Sequence, residues 1–179
     1  YVAQHHIKYS TWTQELIRRY RMTPVVLVRN LFDVTVSLRD HIRSDTPVNS
    51  VAWFTQHHLT LPDAELEDAI AQLAMPWFVS FYAGWRHAPN ALIVRYEDLI
   101  ADPQATMSRI LDHAGIATNA DKITAALDHA RGGQTRLNKG VAGRGAALAP
   151  STKQKILDML AFYPEFADDP FVVDMRATA

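Results

Sequence analysis

The sequence predicts an α/β layered domain, a short parallel sheet flanked by helices, and two runs carry most of that prediction. Val25-Val26-Leu27-Val28-Arg29 and Ala91-Leu92-Ile93-Val94-Arg95 are continuous apolar, largely β-branched stretches of the kind buried on both faces of a parallel sheet. Helical patterns precede, separate and follow them, and strands joined through helices pair in parallel. The 179 residues, 48% hydrophobic and 21% charged, have the balance of one globular domain over residues 1–179 with a sizeable core.

Each element has its own signal. Thr11-Trp12-Thr13-Gln14 reads as a capping box followed by Leu16, Ile17 and Tyr20 at helical spacing, so a helix is expected over 12–20, ended by Thr23-Pro24. After the first strand, Val34, Leu38 and Ile42 recur every four residues and predict a helix from Leu31 to about Arg43. Asp45 to Asn49 reads as a loop. Leu61-Pro62-Asp63 opens a long helix whose stripe is Leu66, Ile70, Leu73, Trp77 and Phe81, kinked or restarted at Pro76. Beyond the second strand, Asp102-Pro103 supplies an N-cap with proline in the first helical turn, and that helix stops at Gly115. Another is expected over 119–131. The glycine-rich, basic stretch 134–150 reads as an ordered functional loop, and Ser151-Thr152-Lys153-Gln154 as the cap of the last helix, with Ile156, Leu157 and Leu160 on its buried face.

Composition excludes several classes of function. Eighteen basic residues against nineteen acidic ones leave a formal net charge of -1, so no general field draws nucleic acid or an anionic membrane. Any anion must be held by local geometry. The absence of cysteine removes disulfides, thiolate metal sites and a cysteine nucleophile together, and suits a reducing, cytoplasmic setting. No apolar run approaches the roughly 20 residues that span a bilayer. Tyr1-Val2-Ala3-Gln4-His5-His6 is not a signal peptide, and it reads as a chain that opens inside a structured element, truncated at its N-terminus.

The chemistry is concentrated in short segments. Arg29 ends a predicted strand and Ser37 lies about two turns into the next helix, so both are expected at the sheet edge where open α/β folds bind ligands. An arginine at a strand end also commonly reaches solvent, and a helical serine commonly back-bonds. In Asn138-Lys139-Gly140-Val141-Ala142-Gly143-Arg144, the glycines let backbone N–H groups approach an anion closely while Lys139 adds a compact positive charge. The scattered histidines His41, His57, His58, His87, His113 and His129 lack the carboxylate partners of a zinc site, so solvated or structural roles are expected. Trp77, Phe81 and Trp85 read as core. Trp53, Phe54 and Tyr82 would line a hydrophobic pocket if they face the ligand edge.

Together these segments resemble the PAPS-dependent sulfotransferases. Arg29 to Ser37 matches that family's Arg-Asn-x-x-Asp-x-x-Val-Ser segment, with Leu31 where proline is usual, and the resemblance implies that Arg29 and Ser37 hold the donor's 3′-phosphate. Two charge-assisted hydrogen bonds at about 1.5 to 3 kcal/mol each would give on the order of 10² to 10⁴ in affinity for that phosphate. Ala91 to Leu99, followed by Asp102-Pro103, resembles the family's strand and Tyr-Glu-Asp-Leu stretch and implies that Tyr96 approaches the adenine, with Glu97 and Asp98 acting locally. Residues 138–144 resemble the Arg-Lys-Gly-x-x-Gly loop, which carries phosphate contacts over to Asn138, Lys139 and Gly140. Asn138 stands where arginine is usual, removing one bidentate contact that Arg136 or Arg144 would have to replace. Gln4-His5-His6-Ile7 is similar to Lys-Thr-His-Leu, whose histidine deprotonates the acceptor, so His6 is the implied general base and Gln4 replaces a lysine. An imidazole with an ordinary pKa near 6.5 suits that task.

The resemblance implies a three-layer, P-loop NTPase-like fold and a sulfuryl transfer from PAPS that leaves PAP. It needs no metal, acts on a small-molecule or glycan acceptor and leaves a homodimer open. No Gly-x-x-x-x-Gly-Lys run or analogue occurs, so the family's loop for the 5′-phosphosulfate is expected to lie outside this sequence. Two alternatives stand beside the enzyme: a degenerate sulfotransferase fold that only binds, and a P-loop kinase. The kinase is disfavoured because both strands end in arginine where acidic Mg²⁺ ligands are usual.

Overall fold

The computed structural model describes residues 2–44, 50–131 and 140–179. The chain falls into two compact units: Tyr9–Arg29 with Trp85–Ala142, which holds the sheet, and Tyr1–Lys8, Asn30–Gly84 and Gly143–Ala179, which is helical. The predicted α/β class with parallel strands is borne out.

In the sheet unit, α1 (Thr11–Tyr20) is capped by Ser10, one residue earlier than expected, whose hydroxyl accepts the Thr13 N–H at 3.1 Å. Its end is set by Arg21, which takes the left-handed conformation at φ 50°, before Thr23-Pro24 is reached. Strand β1 (Val25–Val28) pairs in parallel with β2 (Leu92–Arg95), in the register Val25 to Leu92 through Val28 to Arg95, and these are the two strands among the described residues. Contrary to the expectation of burial on both faces, β1 alternates: Val26 and Val28 are buried while Val25 and Leu27 are 40% and 52% exposed. A chain turning straight into helices follows β2: α6 (Tyr96–Ala101), α7 (Pro103–His113) and α8 (Ala120–Arg131). The Asp102 carboxylate accepts the Ala105 N–H at 2.9 Å, and Gly115 ends the helix region at φ 68°, both as expected. His113 is structural, with Nε2 at 3.2 Å from the Pro24 carbonyl oxygen.

The helical unit packs α2 (Leu31–Ser44) against α4 (Asp63–Leu73) and α9 (Pro150–Ala161). A short α3 (Gln56–Thr60) precedes α4, and there His58 Nδ1 accepts the Thr55 N–H at 3.1 Å. The helix stripe breaks at Ala74, and α5 (Met75–Arg86) restarts with Pro76 at its second position, where a missing N–H costs nothing. That break removes Leu73 from the stripe: it is solvent-exposed, while Leu66 and Ile70 are fully buried with Met75, Ile156 and Leu160. The expected cap of α9 is corrected. The helix begins at Pro150 with Ala149 as N-cap and no side-chain cap bond, because Thr152 and Lys153 are buried in tertiary contacts instead.

A C-terminal helix, α10 (Pro170–Ala177), lies beyond the expected elements, as do the short α3 and α6. Asp169 caps it, accepting the Phe171 N–H at 3.0 Å, and also accepts the Tyr82 hydroxyl at 2.7 Å, so a buried carboxylate ties α5 to the C-terminal helix. This overturns Tyr82 and Phe54 as pocket-lining residues, since both are buried in the core, and leaves Trp53 73% exposed. Among the described residues no helix is long and apolar enough to cross a membrane.

Candidate nucleotide site

Within the sheet unit, the parallel register explains where Arg29 and Tyr96 lie. Because Val28 pairs with Arg95, the next residue on each strand, Arg29 and Tyr96, leaves the sheet at the same carboxyl-terminal edge. That edge is where open α/β sheets take ligands. The Arg29 guanidinium lies over the Tyr96 ring at 4.4 Å from its centroid, and its Nη2 donates to the Val141 carbonyl at 3.0 Å. A cation held over an aromatic face keeps a planar fork in fixed orientation. Gly140, just before this contact, adopts φ 62°, a conformation that suits glycine. Asn138 and Lys139 lie outside the described residues, as does Arg136.

The helical unit carries its own cluster of polar contacts around Ser37. Ser37 is half-buried in the second turn of α2. Four residues before it, Asp33 is 2% exposed, and its two carboxylate oxygens accept the N–H groups of Gly143 at 2.8 Å and Gly145 at 2.7 Å. Three residues after it, Asp40 accepts from Arg144 Nη2 at 2.5 Å and from Arg39 Nη2 at 2.8 Å. Arg144 is therefore committed to Asp40, which removes it as the replacement for the family's arginine at position 138. Gly145 approaches α2 so closely that a Cβ there would meet Phe32 Cβ at 2.3 Å and the Phe32 carbonyl carbon at 2.5 Å. Sequence reasoning did not assign Asp33, Asp40 or Gly145. The Asp of the Arg-Asn-x-x-Asp-x-x-Val-Ser segment was the available signal.

These charges form a chain along the helix surface. Arg39 Nη1 also reaches Glu67 at 2.5 Å and Asp63 at 3.4 Å, and Arg43 meets Asp63 at 2.8 Å. Burial works to raise the pKa of Asp40, yet hydrogen bonds from Arg144 and Arg39 outweigh it and hold the carboxyl below its ordinary value. Glu67 goes the other way: burial, joined by the neighbouring Asp63 and Asp40 carboxylates, outweighs the pull of Arg39 and raises its pKa despite the short contact. A depressed carboxylate stabilises the fold above its unfolded pKa, and that gain is lost as pH falls through the folded value. The stability difference between the wild type and Asp40→Asn, from urea titrations, is accordingly expected to be largest near pH 6 and to shrink toward pH 3. A difference independent of pH over that range would show that Arg144 and Arg39 do not lower the Asp40 pKa in the folded state.

His6 lies exposed in the irregular N-terminal stretch, and two residues on Lys8 Nζ sits 5.7 Å from the Trp77 ring centroid. Trp77 in turn stacks on Phe81 at 5.1 Å. Among the described residues no three histidine, aspartate or glutamate side chains group as a metal site.

The sulfotransferase domain signature matches residues 2–142 of the sequence. The chain belongs to the sulfotransferase family. A crystal structure of a mouse sulfotransferase complexed with PAP matches it with a TM-score of 0.63 at 15% identity, over 90% of this chain and 64% of that one. At that identity the likeness shows the fold, and the chain spans under two thirds of the mouse protein's length. No curated protein matches the sequence. For a sulfotransferase-family chain, Arg29, Tyr96 and Val141 come from the three segments that the motif comparison singled out, and they meet within one compact unit.

Proposed function

We propose that this protein transfers the sulfuryl group of PAPS to a hydroxyl or amine of a small-molecule or glycan acceptor, releasing PAP. The meeting of Arg29, Tyr96 and Val141 carries this reading, because segments more than forty residues apart in sequence converge on one arginine. Arg29 and Ser37 take the donor's 3′-phosphate, Tyr96 approaches the adenine, and Asn138, Lys139 and Gly140 complete the anion's surroundings. His6 removes the acceptor proton as the acceptor oxygen bonds to sulfur. The bond between sulfur and the bridging oxygen breaks, and its electron pair leaves with the 5′-phosphate of PAP. The protein works in the cytoplasm, in keeping with its lack of cysteine.

The test compares nucleotides that differ by one phosphate. PAP is expected to raise the melting temperature of the full-length protein well above the shift given by 5′-AMP at equal concentration, since a ligand that binds only the folded state stabilises it in proportion to the logarithm of its affinity. Equal shifts would remove the 3′-phosphate site. Transfer from radiolabelled PAPS to a panel of phenols, alcohols, amines and glycans then separates an enzyme from a fold that only binds.

A further inference from the structure

The strongest feature outside the predicted ligands is the way α2 grips the segment after the glycine-rich loop. Asp33, Ser37 and Asp40 fall at i, i+4 and i+7, so they share one stripe of the helix. The first and last of them hold Gly143, Arg144 and Gly145, which places Ser37 on the face that receives this segment. The Asp33 contact is specific in a way that a packing contact is not. Both oxygens of a nearly fully buried carboxylate are aimed at two backbone N–H groups two residues apart, a pattern that fixes the path of the intervening backbone. Gly143 sits there at φ 85° and Gly145 is pressed on Phe32, so the segment has little freedom to settle elsewhere.

We propose that Asp33, seconded by Asp40, is a positioning residue for nucleotide recognition. It fixes the downstream end of the glycine-rich segment beside Ser37 and thereby sets the preference for a nucleotide carrying a 3′-phosphate. This rests on the PAPS reading given above. Neither carboxylate touches the nucleotide; a negative charge there would repel a phosphate unless it were already satisfied by the backbone and by Arg144, as both are. The segment held in register leaves the surroundings of Ser37 already formed, so the phosphate is met without an ordering cost at binding.

Isothermal titration of PAP and 5′-AMP against the full-length wild type, Ser37→Ala, Asp33→Asn and Asp40→Asn tests this. An asparagine at 33 keeps one acceptor oxygen but turns an NH₂ toward the second backbone N–H, so the segment loses one tether without a change in side-chain size. The ratio of PAP to 5′-AMP affinity is expected to narrow about tenfold in Asp33→Asn, and by less in Asp40→Asn, with 5′-AMP affinity held within about twofold, the scale of one charge-assisted hydrogen bond. A merely structural role would weaken both nucleotides alike. If the ratio is unchanged in both aspartate variants while Ser37→Ala collapses it, the positioning role is overturned and the PAPS reading stands. If the wild type shows no preference for PAP, both fall together. Should Asp33→Asn fail to fold, the more exposed Asp40→Asn decides the matter by the same ratio.

Discussion

Replacing Gly145 by alanine is expected to lower the melting temperature by roughly 10 °C, the largest stability effect of any single methyl group added to the glycine segment. The new Cβ would stand 2.3 Å from Phe32 Cβ, 2.5 Å from the Phe32 carbonyl carbon and 2.8 Å from the Asp33 nitrogen. Two of those three neighbours are helix backbone, which cannot swing aside as a side chain can. Overpacking of this kind costs about 1 to 3 kcal/mol. Pushing the segment away also breaks the bond from the Gly145 N–H to Asp33, and leaving a buried carboxylate oxygen unsatisfied adds about 1 to 3 kcal/mol. Gly143→Ala is the natural control. Its φ of 85° disfavours a side chain, but nothing lies within 4 Å of the added atom, so only backbone strain of about 1 to 2 kcal/mol is expected. Thermal melts of the two variants followed by circular dichroism separate clash from strain. Comparable melting temperatures would mean that Gly145 does not press on α2 as closely as described.

The same pair of glycines shows why some of the site could be read from the sequence and some could not. Arg29 and Tyr96 were legible because each directly follows a strand with an unmistakable apolar run, and parallel pairing of those runs brings the following residues to one edge. Asp33 was not, because its task depends on a contact 110 residues away that no local pattern encodes. Capping signals behaved in a similarly graded way. Asp102-Pro103 gave a helix where expected, yet the identical Asp169-Pro170 pair passed unnoticed ahead of α10, whose eight residues are too few for a clear apolar period. At α9 the local signal was overruled. Ser151-Thr152-Lys153-Gln154 has the composition of a cap, but Lys153 Nζ reaches the Thr178 carbonyl at 3.2 Å and Thr152 is buried, so tertiary contacts claimed side chains that would otherwise have capped the helix. The strand β1 erred in the opposite sense: its unbroken apolar run predicts two covered faces, and the run alone cannot say that Leu27 faces outward.

Arg29→Lys is expected to cost PAP roughly 10² in affinity, nearly as much as Arg29→Ala, although it keeps the charge. The guanidinium of Arg29 lies on Tyr96 and donates to the Val141 carbonyl, and the proposed phosphate contact would add to these. A planar group with five donors can meet several partners in different directions; an ammonium is a point charge with a stronger hydration shell and no fork. Losing the second donor of a bidentate contact to phosphate accounts for about 1.5 to 3 kcal/mol, and losing the ring contact and the tether to Val141 adds to it. The two effects are separable with Tyr96→Leu. That variant retains Arg29 but removes the ring beneath it, so PAP and 5′-AMP affinities are both expected to fall, by about fivefold, while their ratio is largely kept. If Arg29→Lys binds PAP as tightly as the wild type, the fork geometry is irrelevant and Arg29 serves only as a positive charge at the strand end.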